Sequence, residues 1–193
     1  MTPLDARNSG SEPGTLSSVP VHDGRIVHLS VDTVRFPDGS VGELEMIRHS
    51  GASAVLPLIG RRDDPDPEIL LIRQYRYASG GYMLEVPAGR PDAPGEDWEV
   101  CARRELEEET GMIAGTMTRL TGIFTTPGFT DEFIHLFLAE DLREGTTAYD
   151  HDEFIELARM PISRALAAIH RGEIADGKTV CAILFAHAFL LRG

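Results

Sequence analysis

Cysteine is almost missing from this chain: Cys101 and Cys181 are the only two among 193 residues. Two thiols are too few for a disulfide scaffold, and each lies in an apolar-periodic stretch where free cysteine acts as a small hydrophobe. This usage fits a reducing, cytoplasmic setting. Basic residues are also scarce. Eighteen Lys+Arg face 31 Asp+Glu, a formal charge of −13, the opposite of the footprint that follows a phosphate backbone, so no nucleic-acid partner is expected. Long apolar runs are missing too. The longest, Thr179 to Leu191, is broken by His187 and falls short of the ~20 residues that cross a bilayer, so no membrane span is expected. The first twenty residues, MTPLDARNSGSEPGTLSSVP, lack the basic start and apolar run of a signal peptide and read as a disordered tail over 1–20.

What is present suffices for one full domain with a small appendage: 42% of the residues are hydrophobic, and roughly 100–200 residues make a domain. Arg25 to Phe36 alternates and is rich in β-branched residues, PDGS offers a turn, and VGELEMIRH resumes the alternation, a β-hairpin pattern. ASAVLPLIG and EILLIRQYRY flank an acidic, proline-bearing loop as a second strand pair, and YMLEVPAG ends as a strand running into a turn. A helix is expected over Asp97 to Thr110, stopped by Gly111. MTRLTGIFTT, DEFIHLFLAEDL and FIELARM are strand-like. Two helical patterns close the chain, at Pro161 to Arg171 and about Lys178 to Leu191. The coarse class is α+β, a mixed sheet covered by helices.

The middle helix breaks a rule. At 100° per residue with Glu105 at zero, Glu108 falls at about 300° and Glu109 at about 40°. Trp98, Cys101, Ala102 and Leu106 fall within the same arc, leaving Val100 as the apolar residue that does not fit. An ordinary surface helix turns its acids away from its apolar face. Covered carboxylates are too costly unless they are paired, protonated or coordinated to a metal. Arg104 is one turn from Glu108 and can hold it, yet one arginine does not neutralise three charges.

The stretch from Gly89 to Met112, GRPDAPGEDWEVCARRELEEETGM, resembles the signature of the Nudix hydrolases. A glycine and a spacer lead to Glu96; seven residues later come Arg104, Glu105, Leu106, Glu108, Glu109, Gly111 and Met112, all in place. One departure is the spacer, which encloses six residues between Gly89 and Glu96 where the family has five. The resemblance implies a Nudix-type α/β/α sandwich over 51–193, preceded by an N-terminal antiparallel β subdomain over 21–50. It also implies a bound Mg²⁺ or Mn²⁺ and hydrolysis of a nucleoside diphosphate linked to another group. Hard cations take oxygen ligands, and carboxylates spaced i, i+3, i+4 can present them together. By similarity, Glu105, Glu108, Glu109 and the carbonyl of Ala88 are metal ligands, while Glu96 and Arg104 support loop and helix.

Beyond the box, LEVPAG, RQYRY and TTPGFTDEFIHLFLA are similar to the ADP-ribose (ADP-sugar) pyrophosphatase branch, with Pro127 fifteen residues past Met112. That branch implies AMP and a sugar phosphate as products. By the same similarity Arg76 holds phosphate, Arg90 lines the site, and Pro127, Gly128 and Glu132 contact the terminal ribose side. Arg73 is a weaker candidate, because Arg73 and Arg76 of one strand point to opposite sides. In the acidic loop YDHDEFIEL, Glu153 matches a metal-side glutamate; His151 stands where relatives carry the base glutamate, so the base is His151, Asp152 or Glu153. Relatives are homodimers through the N-terminal sheet. GDP-mannose, FAD or NADH cleavage and a non-catalytic nucleotide-sensing module are the alternatives, since fold does not set base specificity.

Overall fold

The computed structural model describes residues 12–148 and 155–191. They fall into two compact units, one of residues 12–49 with Thr126–Glu132, the other of Ser50–Thr125 with the described residues from Phe133 onward.

The first unit is built on a three-stranded antiparallel sheet in the order β1 (Gly14–Asp23), β2 (His28–Arg35), β3 (Val41–Arg48). The expected hairpin is β2–β3, closed where Phe36 N donates to Ser40 O at 2.9 Å and Gly39 takes φ 85°. The tail expected over 1–20 is corrected here: Gly14–Pro20 belong to β1, with Val19 opposite Val31. Every residue of β1 is exposed, so the strand has no burial pattern of its own and is ordered by its ladder to β2. Asp32 pins the sheet from within. It is buried, accepts the hydroxyls of Ser18 and Ser30, and pairs with Arg48. Those hydroxyls first, then Arg48, hold its carboxyl below the usual range against the opposing effect of burial. The segment 126–132 joins this unit through Ile47 N to Phe129 O at 2.8 Å and His49 N to Asp131 Oδ1 at 2.8 Å.

The second unit carries a mixed sheet in the order β10-β5-β4-β9-β8, with β6 added to β5 and β7 to β4. The strands are β4 (Ala52–Ile59), β5 (Glu68–Arg76), β6 (Gly81–Glu85), β7 (Ala88–Gly89), β8 (Met112–Phe124), β9 (Phe133–Glu144) and β10 (Ile155–Pro161). Only β4 and β9 run parallel. Central β4 is buried from Ala52 through Leu58, as a strand covered on both faces must be. Its side chains sort by parity. Val55 joins Phe137 and Ala139 of β9 against Ala102 and Leu106 of α1 (Trp98–Thr110). Ala54, Leu56 and Leu58 join Ala165 of α2 (Ile162–His170) and Ile183 of α3 (Gly177–Phe189) on the other face. The α/β/α sandwich follows from this two-sided alternation, each fully buried leucine contributing roughly 1.5–3 kcal/mol. β8 starts directly after Gly111, ahead of the expected Met117, because its early residues pair with the far end of β9 (Met112 opposite Glu144). Among the described residues no helix is long and apolar enough to cross a membrane.

Candidate active site

The site is organised by α1, and both its ends are set locally. Asp97 caps the N-terminus, accepting from Glu99 N at 2.9 Å and Val100 N at 3.3 Å; Gly111, at φ 68°, ends the helix by donating to Glu107 O at 2.8 Å. Val100, the residue that did not fit the apolar arc, is 54% exposed. Glu105 and Glu109 are 8% and 2% exposed, so two of the three carboxylates lie under cover as their angles predict. Glu108 is half-buried.

Both covered acids lodge against β7. Glu109 Oε2 accepts from Ala88 N at 3.1 Å. The Glu105 carboxylate occupies the space beside Gly89 where a side chain would start: a Cβ built there collides with its Oε1, Cδ and Oε2. Arg104 is the hub. Its Nη1 donates to Glu105 at 2.7 Å and to Glu108 at 3.0 Å, its Nη2 to the carbonyl of Arg90 at 2.9 Å and to Glu96 at 3.5 Å. Its Nε lies 3.1 Å from Asp92 Oδ2, an ion pair whose angle is too poor for a hydrogen bond. Burial works against the charge of Arg104, but Glu105, Glu96 and Glu108 outweigh it and raise the guanidinium above its ordinary value. The loop that carries the extra residue closes on itself. Glu96 accepts from Asp92 N at 2.8 Å, its own N–H donates to Ala93 O, and Gly95 takes φ 86°. The Asp92 N–H, and then Arg104, hold the Glu96 carboxyl below the usual range against burial.

A second ionic group lies on β5, β6 and α3. Arg76 forks onto Glu85 through Nε and Nη2, both at 2.9 Å, and Lys178 Nζ adds a third donor at 2.6 Å. Glu85 is only 1% exposed. Burial pushes its carboxyl up, but Arg76 and Lys178 outweigh that and leave it below the usual range. Glu109 also lies within electrostatic reach of Arg76, which links this group to the helix carboxylates. Arg73 points the other way, over the Tyr82 ring at 4.0 Å and to Glu156 at 3.0 Å.

The remaining expected residues are divided between the two units. Arg90 is exposed, with its carbonyl tied to Arg104. Pro127 and Gly128 are exposed and Glu132 is half-buried near His49 (3.6 Å), all three in the first unit. His151, Asp152 and Glu153 lie outside the described residues. Among the described residues no three of His, Cys, Asp and Glu converge as a ready metal cage; Arg104 bridges Glu105 and Glu108 instead. The donor set nevertheless suits a hard cation: covered carboxylates beside a backbone segment, Ala88–Gly89, kept open by glycine. Glu85 and Lys178 were not picked out from the sequence. A lone acid in the apolar strand LEVPAG was the available signal for Glu85.

A family model described as NUDIX domain matches residues 49–182. The chain belongs to the Nudix hydrolase family. It is 36% identical to an ADP-ribose pyrophosphatase of Bacillus subtilis (strain 168), over 90% of this chain and 92% of the relative. It is 38% identical, over the same shares, to a methanol dehydrogenase activator of Bacillus methanolicus. A solved structure described as an ADP compounds hydrolase superposes with a TM-score of 0.79 at 24% identity, covering 95% of this chain and 97% of that one, a likeness of fold.

The two thiols of this Nudix hydrolase sit in contrasting places. Cys181 is exposed, while Cys101 is buried under the site with Sγ 3.6 Å from the Gly89 carbonyl. Burial, and then Glu105, push the Cys101 thiol up to about 11, so it is not a thiolate at neutral pH. Iodoacetamide at pH 8 is expected to label Cys181 alone in the folded protein and both thiols after denaturation. Native labelling of Cys101, read by peptide mass, would contradict this placement.

Proposed function

We propose that this Nudix hydrolase uses Mg²⁺ or Mn²⁺ to cleave the diphosphate of ADP-ribose or a related nucleoside diphosphate sugar, giving AMP and a sugar phosphate. The observation that carries the reading is the pair of buried carboxylates, Glu105 and Glu109, lodged against Ala88–Gly89. Covered carboxylates gathered beside this backbone segment offer oxygen ligands that suit a hard cation. Glu105, Glu108, Glu109, Glu153 and the Ala88 carbonyl would hold it, and the bound ion would supply neutralisation of the diphosphate and activation of water. Arg104 orients Glu105 and Glu108. By the branch resemblance Arg76 holds phosphate, Arg90 lines the site beside the loop glycine, and Pro127, Gly128 and Glu132 contact the terminal ribose side. A base in the segment 151–153, His151, Asp152 or Glu153, takes the proton from the attacking water. The identity to an ADP-ribose pyrophosphatase over 90% of the chain supports this choice of substrate.

The test is phosphate release in a phosphatase-coupled assay across ADP-ribose, ADP-glucose, GDP-mannose, FAD and NADH, with Mg²⁺, Mn²⁺ and EDTA. Metal-dependent cleavage strongest on ADP-ribose is expected. Ligand binding with no turnover on any of them would overturn the enzyme reading in favour of a sensing module.

The protein is also proposed to be a homodimer in a cytoplasmic setting. Support comes from β1, which among the described residues pairs only with β2 and exposes Leu16, Val19 and Val21 at 50–60%. An edge strand with exposed apolar residues wants a partner. Light scattering at micromolar concentration should give twice 21.1 kDa; a particle of single mass would sink the dimer.

A further inference from the structure

Lys178 occupies a place that local rules disfavour. Asp176 caps α3 and accepts from Thr179 N at 3.0 Å, so Lys178 is the second residue of the helix. A cation in the first turn opposes the helix dipole. Its side chain is nonetheless drawn in, only 12% exposed, with Nζ 2.6 Å from Glu85 and 3.1 Å from Asp176. A residue set against local preference and held by long-range contacts is there for what it touches. What it touches is the buried carboxylate that grips Arg76 through two parallel hydrogen bonds. That grip uses Nε and Nη2 of the guanidinium and sets the plane of the fork. The same turn of α3 holds the chain on the other side of Glu85, since Thr179 Oγ1 accepts from Val86 N at 2.8 Å, just before Pro87 and Ala88.

We infer that Lys178 is a positioning residue for substrate binding: through Glu85 it fixes the guanidinium of Arg76 in the orientation that receives the diphosphate. The inference rests on the proposed hydrolysis of a nucleoside diphosphate sugar. Removing Lys178 takes from Glu85 Oε2 the donor that ties it to α3, so the carboxylate can shift and carry with it the Arg76 fork that rests on both its oxygens. Arg76 would bind diphosphate in substrate and transition state alike, so the loss falls on KM more than on kcat.

The experiment is steady-state kinetics on ADP-ribose with the full chain, for Lys178→Met, Lys178→Arg, Arg76→Ala and the double variant Arg76→Ala/Lys178→Met. Lys178→Met should raise KM about tenfold with kcat within about threefold, as loss of uniform binding does. Lys178→Arg should restore most of the loss, and the double variant should be no worse than Arg76→Ala alone. Should Lys178→Met fail to fold, Lys178→Gln keeps a donor for Glu85 without the charge and should show the same KM effect. An unchanged KM in a folded variant, or effects that add in the double variant, would overturn the role of Lys178 while wild-type activity leaves the functional reading standing. A wild-type protein that neither hydrolyses nor binds ADP-ribose, ADP-glucose or GDP-mannose would overturn that reading and this one with it.

Discussion

Replacing Glu109 with glutamine is expected to lower kcat on ADP-ribose by on the order of 10³ or more, the scale of losing a preorganised electrostatic group. The side chain is 2% exposed and one oxygen is committed to Ala88 N at 3.1 Å. Glutamine has the same shape, and its amide oxygen can accept that same hydrogen bond. Only the charge disappears. Because shape and the hydrogen bond to Ala88 are both kept, the variant should fold and melt close to wild type. That pairing of results distinguishes a metal carboxylate from a structural one, which would lose stability and activity together. A Glu109→Gln protein with full activity would refute the metal assignment.

The second large effect is expected at Gly89. An alanine methyl there would overlap the Glu105 carboxylate, so either Glu105 leaves its place beside β7 or the Ala88–Gly89 strand shifts away from β4. Both spoil the site. Gly89→Ala should reduce kcat by about 10²–10³, as displacement of a catalytic group does. Overpacking of this kind should also cost about 1–3 kcal/mol of stability, read as a lower melting temperature. The cause can be isolated by adding Glu105→Ala, which removes the clash: the double variant should regain stability over Gly89→Ala and remain inactive. Wild-type activity in Gly89→Ala would show that the close approach of Glu105 to this backbone is dispensable.

Much of the site was legible because its signals are local. Asp97 and Gly111 mark the ends of α1 within one turn of each, and the 100° rotation per residue put Glu105 and Glu109 on the covered arc and Val100 outside it. The carboxylate motif, with Arg104 between its glutamates, identified the family before any contact was known, and the family model spans residues 49–182. The apolar runs of β4 and β5 and the strand-like DEFIHLFLAEDL of β9 likewise marked these segments as strands.

Tertiary structure decided what no window of neighbouring residues contains. Strand β1 reads as part of a disordered tail because it buries nothing, and it exists as a strand through its ladder to β2. The parallel pairing of β4 with β9, which places Val55 beside Phe137, depends on an encounter between distant segments. Glu85 and Lys178 lie 93 residues apart; neither has a local pattern that names the other, and a lysine in a helix's first turn looks merely unfavourable until its partner is in place. Local periodicity thus set the helix and its carboxylates. Long-range contact alone chose the strand order and the charged group that grips Arg76, since these depend on which distant segments meet as the core closes.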